Sequence, residues 1–219
     1  NLIIKLLFFF LIFSCQFEKF EEFEELKLLA ECIDGHAKIV IDEVEYEYEC
    51  ENYDLVGYIS LEEMEAESGN DCWGWTDPLT NKEYALMGLD NGTAIIDISK
   101  ATKPKYLGKI PTETVPSSWR DLKIFDNHVF IVSEAENHGM QVYDLEQLRV
   151  INDVQNLTPS FVYSNHGSAH NIAINNKTGY AYTAGIGSSS NPVGIYALNI
   201  NNPIDPKLEL EYPDFGYSH

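Results

Sequence analysis

An all-β fold is predicted by three observations. Three segments repeat one pattern of glycine, four residues, Asp or Asn, then Ile or Leu: Gly92 to Ile98, Gly139 to Leu145 and Gly194 to Ile200. Each follows a turn and a strand-forming run, which are Tyr84 to Met87, Val129 to Val132 and Tyr180 to Thr183. Long amphipathic helices are missing from Trp73 to Tyr212, which argues against an α/β chain. About four short antiparallel strands in about 40–50 residues is the size of one β-propeller blade. The repeat of about 49 residues therefore predicts an incomplete propeller of about three blades over 71–219. An antiparallel sandwich is the alternative.

The chain opens on a segment read as an export signal. Lys5 is followed by eight apolar residues, Leu6 to Phe13, then Ser14 and Cys15. The stretch is too short for a bilayer, which takes about 20 residues. Leu11 to Cys15 is similar to a bacterial lipoprotein signal, in which the cysteine is lipidated, and assigns 1–15 to a signal peptide ending at Cys15. Acyl chains would then tether the protein at about 0.8 kcal/mol per buried methylene. Free secretion is the competing outcome. Localisation is therefore expected to be extracytoplasmic, as an outer-membrane or cell-surface lipoprotein or as a secreted protein.

From Gln16 to Asn70 there are 18 acidic residues against 3 lysines. Glu18 to Leu29 (EKFEEFEELKLL) fits a solvated tether, taken as 16–31. The next unit, 32–70, is a leader closed by a disulfide. With Cys15 lipidated, Cys32, Cys50 and Cys72 remain, and Cys32 is paired with Cys50 across 18 residues. A loop of that size contributes roughly 3 kcal/mol by chain entropy. Ile39 to Ile41 and Val44 to Tyr48 inside it read as a hairpin. Cys72 is expected to be a buried thiol acting as a small hydrophobe.

Within each repeat, the glycine is expected to relieve the tight turn opening the third strand. The Asp or Asn is expected to accept backbone N–H groups in the turn that closes it. Gly185 to Ser190 (GIGSSS) reads as a flexible insertion. The sequence stops at Tyr217-Ser218-His219, where a further repeat would be starting, and a ring needs about four blades. The natural protein is expected to continue, because an open stack leaves an apolar face and strand edges bare.

Aligned at their first strands, Asp121, His170 and His219 follow one another at steps of 49 residues, and Asp71 precedes Asp121 by 50. Equivalent positions on successive blades form a ring around one channel. A ring of Asp71, Asp121, His170 and His219 offers carboxylate oxygen and imidazole nitrogen to a divalent metal, Ca or Zn, which would be structural or would activate water. The plain alternative is polar side chains bonding across the channel mouth to water or backbone. Asn171 and Arg120 are candidates to orient these groups, and Arg120 with Asp121 is equally readable as a buried ion pair. Glu134, His138 and His166 are further ligand-binding candidates at the same mouth. Trp73, Trp75 and Trp119 are expected between blades as core, with a carbohydrate- or peptide-binding surface as the alternative.

Five segments, DCWGWTD (Asp71 to Asp77), SSWRDL (Ser117 to Leu122), FIVSEA (Phe130 to Ala135), HGMQVY (His138 to Tyr143) and GSAHNI (Gly167 to Ile172), resemble the choice-of-anchor B family of LVIVD-repeat β-propellers. The resemblance extends from Cys32 to His219 and includes Cys32, Cys50 and Asn52 to Leu55. It implies an extracytoplasmic propeller carried on a variable surface anchor, without assigning a reaction. Cys72 departs from the family, which has an aliphatic residue there.

At 44% hydrophobic and 12% aromatic the chain is too apolar to be disordered throughout. Its net charge of −21 argues against nucleic acid and against adsorption to anionic lipid. Contact with a membrane is expected only through the lipid anchor. The first functional reading is a surface-anchored propeller binding a ligand, with a cell-surface protein or carbohydrate as partner. A metal-dependent hydrolase comes second, since no Ser-His-Asp motif, paired-carboxylate signature or nucleotide loop is present. A structural adhesion module comes third.

Overall fold

The structure, a computed structural model, describes residues 29–41, 43–188 and 191–213. The signal segment, Cys15, most of the acidic tether and His219 lie outside them. The described chain is all-β, with a single 3-10 helix at Leu145–Val150.

Four sheets form. The leader folds into a hairpin of β1 (His36–Ile41) and β2 (Val44–Glu49), with Ile41 opposite Val44. Cys32 and Cys50 are disulfide-bonded at its base, their Cα atoms 5.9 Å apart. The second sheet runs β3 (Gly69–Thr76), β4 (Glu83–Leu89), β5 (Gly92–Asp97) and β6 (Lys105–Pro111) as an antiparallel meander. The third contains β7 (Arg120–Phe125), β8 (His128–Ser133), β9 (Met140–Asp144) and β11 (Phe161–Tyr163). Between the last two, β10 (Gln155–Asn156) leaves its own sheet and pairs parallel to β6. The fourth is β12 (Asn171–Asn175), β13 (Tyr180–Ser188), β14 (Asn191–Asn199) and β15 (Lys207–Tyr212). Thus Gly185 to Ser188, read as a flexible insertion, continues β13 as one arm of a long hairpin, with register irregularities around Ile186.

The repeated residues have repeated roles. Asp97, Asp144 and Asn199 each accept the backbone N–H two residues on, from Ser99, Glu146 and Asn201, at 2.9, 2.9 and 3.1 Å. This side-chain turn ends the third strand of each sheet. The glycines do more than the expected relief of a turn, which the positive φ of Gly139 and Gly194 fits. A Cβ on Gly92, Gly139 or Gly194 would run into the carbonyl oxygen of Ile110, Tyr163 or Tyr212 on the fourth strand. Close backbone approach is what the position demands, and Gly139 and Gly194 add φ of +71° and +83°.

The cores lie between sheets. Trp75, Tyr84, Leu86 and Ile95 of the second sheet meet Leu122, Ile131 and Tyr143 of the third. Phe130, Val132, Met140 and Val142 of the third meet Ile172, Ala181, Tyr196 and Leu198 of the fourth. Alternation along each strand sends neighbouring side chains into different interfaces, as with Ile131 and Val132. The leader packs Met64 and Ile59 over Leu89, Ala94 and Ile96 on the outward face of the second sheet. On the fourth sheet Leu208, Leu210 and Tyr212 remain exposed.

Cys72 differs from expectation: it is free but exposed. Its cross-strand partner is Met87, which puts both on that outward face, where the leader leaves an apolar groove beside Tyr58 and Met64.

Candidate functional site

The first strands of the three larger sheets, β3, β7 and β12, lie side by side in that order, β7 touching both neighbours. What joins them is side chain to backbone. Asp71 on β3 accepts the N–H of Leu122 on β7 at 3.2 Å. Asp121 on β7 accepts the N–H of Ile172 on β12 at 2.8 Å. Asn70 accepts the N–H of Arg120 at 3.0 Å. Three edge donors that would otherwise stand bare are therefore capped by a carboxylate or amide from the preceding sheet.

The ladders also correct the alignment of the repeats. Cys72, Leu122 and Ile172 stand opposite Met87, Ile131 and Thr183. Those in turn stand opposite Ala94, Gln141 and Tyr196, each two residues past its repeat glycine. Asp71, Asp121 and Asn171 are thus the equivalent set, at even steps of 50. His170 is equivalent to Arg120 and Asn70, one place earlier than a step of 49 from Asp121 suggests.

The ring expected of Asp71, Asp121, His170 and His219 is realised in part. Asp71 and Asp121 converge, but the Lys123 ammonium stands between them, 2.6 Å from Asp121 Oδ1 and 3.1 Å from Asp71 Oδ2. It also donates to the Leu122 carbonyl at 2.9 Å and lies 4.6 Å from the centre of the Trp73 ring. His170 turns to Glu134, its Nδ1 2.6 Å from Oε1, and lies against the Trp119 indole at 5.6 Å between centroids. Asn171 donates to Asp121 Oδ2 at 3.4 Å. Among the described residues no group of three or more His, Cys, Asp or Glu side chains is placed to hold a metal. Asp71 and Asp121 do not fit a bound Ca or Zn as arranged, because the Lys123 ammonium stands where a cation between them would sit.

The carboxylate pair titrates unequally. Burial raises Asp121, and the Asp71 carboxylate beside it raises it further, against the pull of Lys123. Burial also pushes Asp71 upward, but bonds from Asp121, Lys123 and the Leu122 amide outweigh it and leave Asp71 below its ordinary value. The two carboxyls therefore titrate as one coupled pair, Asp121 shifted up and Asp71 down.

Arg120 and Asp121 are adjacent on a strand, so they point to opposite faces and form no ion pair. Arg120 is buried, donating to the Leu89 carbonyl at 2.9 Å, Thr112 Oγ1 at 3.0 Å and His138 Nε2 at 2.9 Å. His138 accepts there, so its proton is on Nδ1, facing the Gly139 carbonyl at 3.1 Å. Burial and then Arg120 hold His138 down at about 4. His166 is equally buried, between Tyr163 and Tyr196, and burial holds it at about 4. Neither histidine lines an open mouth.

What does open is a cleft of 740 Å³ along the first strands, with Asp71, Asp121, Lys123, His170 and Asn171 on its polar side. Trp119 and Tyr182 line it and are 51% and 41% exposed. Trp73 is 44% exposed. Of the three tryptophans expected in the core, Trp75 alone is there, stacked on Tyr84 and donating to Asn127. Sequence reasoning missed Lys123 and Tyr182 as cleft residues, while Trp119, expected in the core with a binding surface as the alternative, lines the cleft. Lys123 was findable: it stands two residues after Asp121, which puts both on one face of a strand. No family model matches the chain, and no curated protein matches it.

Proposed function

We propose that the chain is an extracytoplasmic, surface-attached module of β-propeller type, and that the cleft along its first strands binds a ligand or protein partner. The observation that carries the reading is the repeated step from Asp71 to Leu122 and from Asp121 to Ile172, which supports successive blades about one axis with a cleft at their inner strands. The volume is in the ~300–1,000 Å³ range of small-molecule sites. Half-exposed aromatics beside convergent polar groups are what such sites contain. The Cys32–Cys50 disulfide supports an oxidising compartment. Attachment would be through lipid on Cys15, and the resemblance to choice-of-anchor B proteins fits that address.

The test is a ligand screen read by tryptophan emission, on the natural chain and on Trp119→Ala and Tyr182→Ala. Saturable binding lost in both variants is expected. Ligands that bind all three proteins alike would put binding elsewhere and overturn the reading. Mass spectrometry of the mature N-terminus tests the lipid on Cys15 separately.

A further inference from the structure

We infer that the cleft takes a neutral carbohydrate, with one sugar ring laid on the Trp119 indole; the inference rests on the binding role proposed for the cleft. Three observations lead there. The first concerns peptides. An extended peptide binds a sheet by pairing with unsatisfied backbone groups along its edge. Here the N–H groups of Arg120, Leu122 and Ile172 are already taken by Asn70, Asp71 and Asp121. Those three donors are not available to a peptide strand laid along the cleft.

The second concerns charge. Asp71 and Asp121 line the cleft, Glu134 is bonded to its His170, and the lysine that lines it is bonded to both aspartates. The whole chain carries −21. An anionic ligand would meet repulsion without an available cation, which disfavours uronates, sulfated sugars and phosphates.

The third concerns the aromatics. An indole is 51% exposed beside a cleft that mixes apolar lining with a few polar groups, with His170 tilted against it. Its negative ring face attracts weakly positive C–H groups. A pyranose offers such a C–H face, and hydroxyls around its rim. Asp71 and Asn171 line the same cleft with carboxylate and amide groups that hydroxyls can bond, and Tyr182 gives it a second aromatic surface.

The experiment titrates the full chain by calorimetry with cello-, chito- and manno-oligosaccharides. Uronate and sulfated oligosaccharides and a set of extended peptides are run in parallel. Saturable binding of at least one neutral series is expected, weakened about tenfold or more by Trp119→Ala and partly kept by Trp119→Phe, with unchanged far-ultraviolet circular dichroism in both. Asn171→Ala, away from the indole, is expected to weaken the same series. Three results would overturn the carbohydrate assignment: no neutral series binding at millimolar concentration, binding confined to anionic sugars or peptides, or neutral-sugar binding indifferent to Trp119→Ala. Peptide or anionic binding that Trp119→Ala abolishes would leave the cleft's binding role standing. Indifference of every probe to that substitution would remove both.

Discussion

Asp121 on β7 receives the backbone N–H of Ile172 on β12 at 2.8 Å, carrying one sheet's first strand onto the next. Asp71 repeats the contact with Leu122 one sheet earlier. Truncating Asp121 leaves the buried Ile172 N–H without an acceptor, which costs roughly 1–3 kcal/mol. Asp121→Ala is expected to lower the thermal midpoint accordingly. Asp121→Asn keeps an acceptor, as Asn171 does at the equivalent place, and is expected to cost less. Equal losses for Ala and Asn, measured by calorimetric melting, would show that the charge rather than the acceptor matters.

Gly139 and Gly167 form a matched pair, with φ of +71° and +68°. A methyl group on Gly139 runs into the Tyr163 carbonyl, whereas one on Gly167 meets nothing within 4 Å. Gly167→Ala is expected to cost about 1–2 kcal/mol, the strain of the left-handed region alone. Gly139→Ala adds a clash with a neighbouring strand and is expected to cost about 2–4 kcal/mol. Urea midpoints of the two variants give the comparison, and equal midpoints would refute the role assigned to the repeat glycine.

Acid is expected to weaken the fold in two stages. His138 and His166 titrate near 4 in the folded chain, against 6.5 ordinarily. The unfolded chain therefore takes up these protons first, and stability falls as pH drops from about 6.5 to about 4, by roughly 3 kcal/mol for each histidine. His138→Gln keeps an acceptor for Arg120 and removes one titration, so its decline should be shallower. Asp77 gives the second stage. Bonds from Arg149, then from Thr80 and the Leu79 amide, hold it well below the ordinary carboxylate value. Its contribution is present above that value and is lost at more acidic pH. Urea unfolding at a series of pH values separates the stages; a flat profile from neutral to pH 4 would contradict the buried histidines.

Cys72 is expected to react with iodoacetamide in the native protein, while Cys32 and Cys50 stay unlabelled until reduced. Peptide mapping reads the label. Cys72→Ser is expected to shift stability by no more than about 0.5 kcal/mol, the usual range for a surface change. A protected Cys72 would mean that its groove is filled in solution.

Much of the fold was legible because backbone demands leave marks in sequence. Asp97, Asp144 and Asn199 close turns through their own side chains, and Gly139 and Gly194 answer a steric prohibition, so residue type and place are tied together. Cys32 and Cys50 paired for a similar reason, since a hairpin between them brings its ends together. The candidate site was harder. Spacing alone put His170 level with Asp121, and only the strand register moves it one place back, level with Arg120. The exposure of Trp73 and Trp119 was likewise hidden, because Trp75 carries the same side chain two residues after Trp73 and is buried. Composition does not separate a tryptophan wedged between sheets from one beside a cleft. Packing from a different sheet decides it.

Lys123 makes the charge balance between Asp71 and Asp121 a covalent property of the chain. A cation borrowed from the medium would come and go with its concentration; this one is tethered to the backbone by a four-carbon stem and arrives with every molecule synthesised. The same local geometry should then persist in ion-poor water and in ion-rich fluids alike.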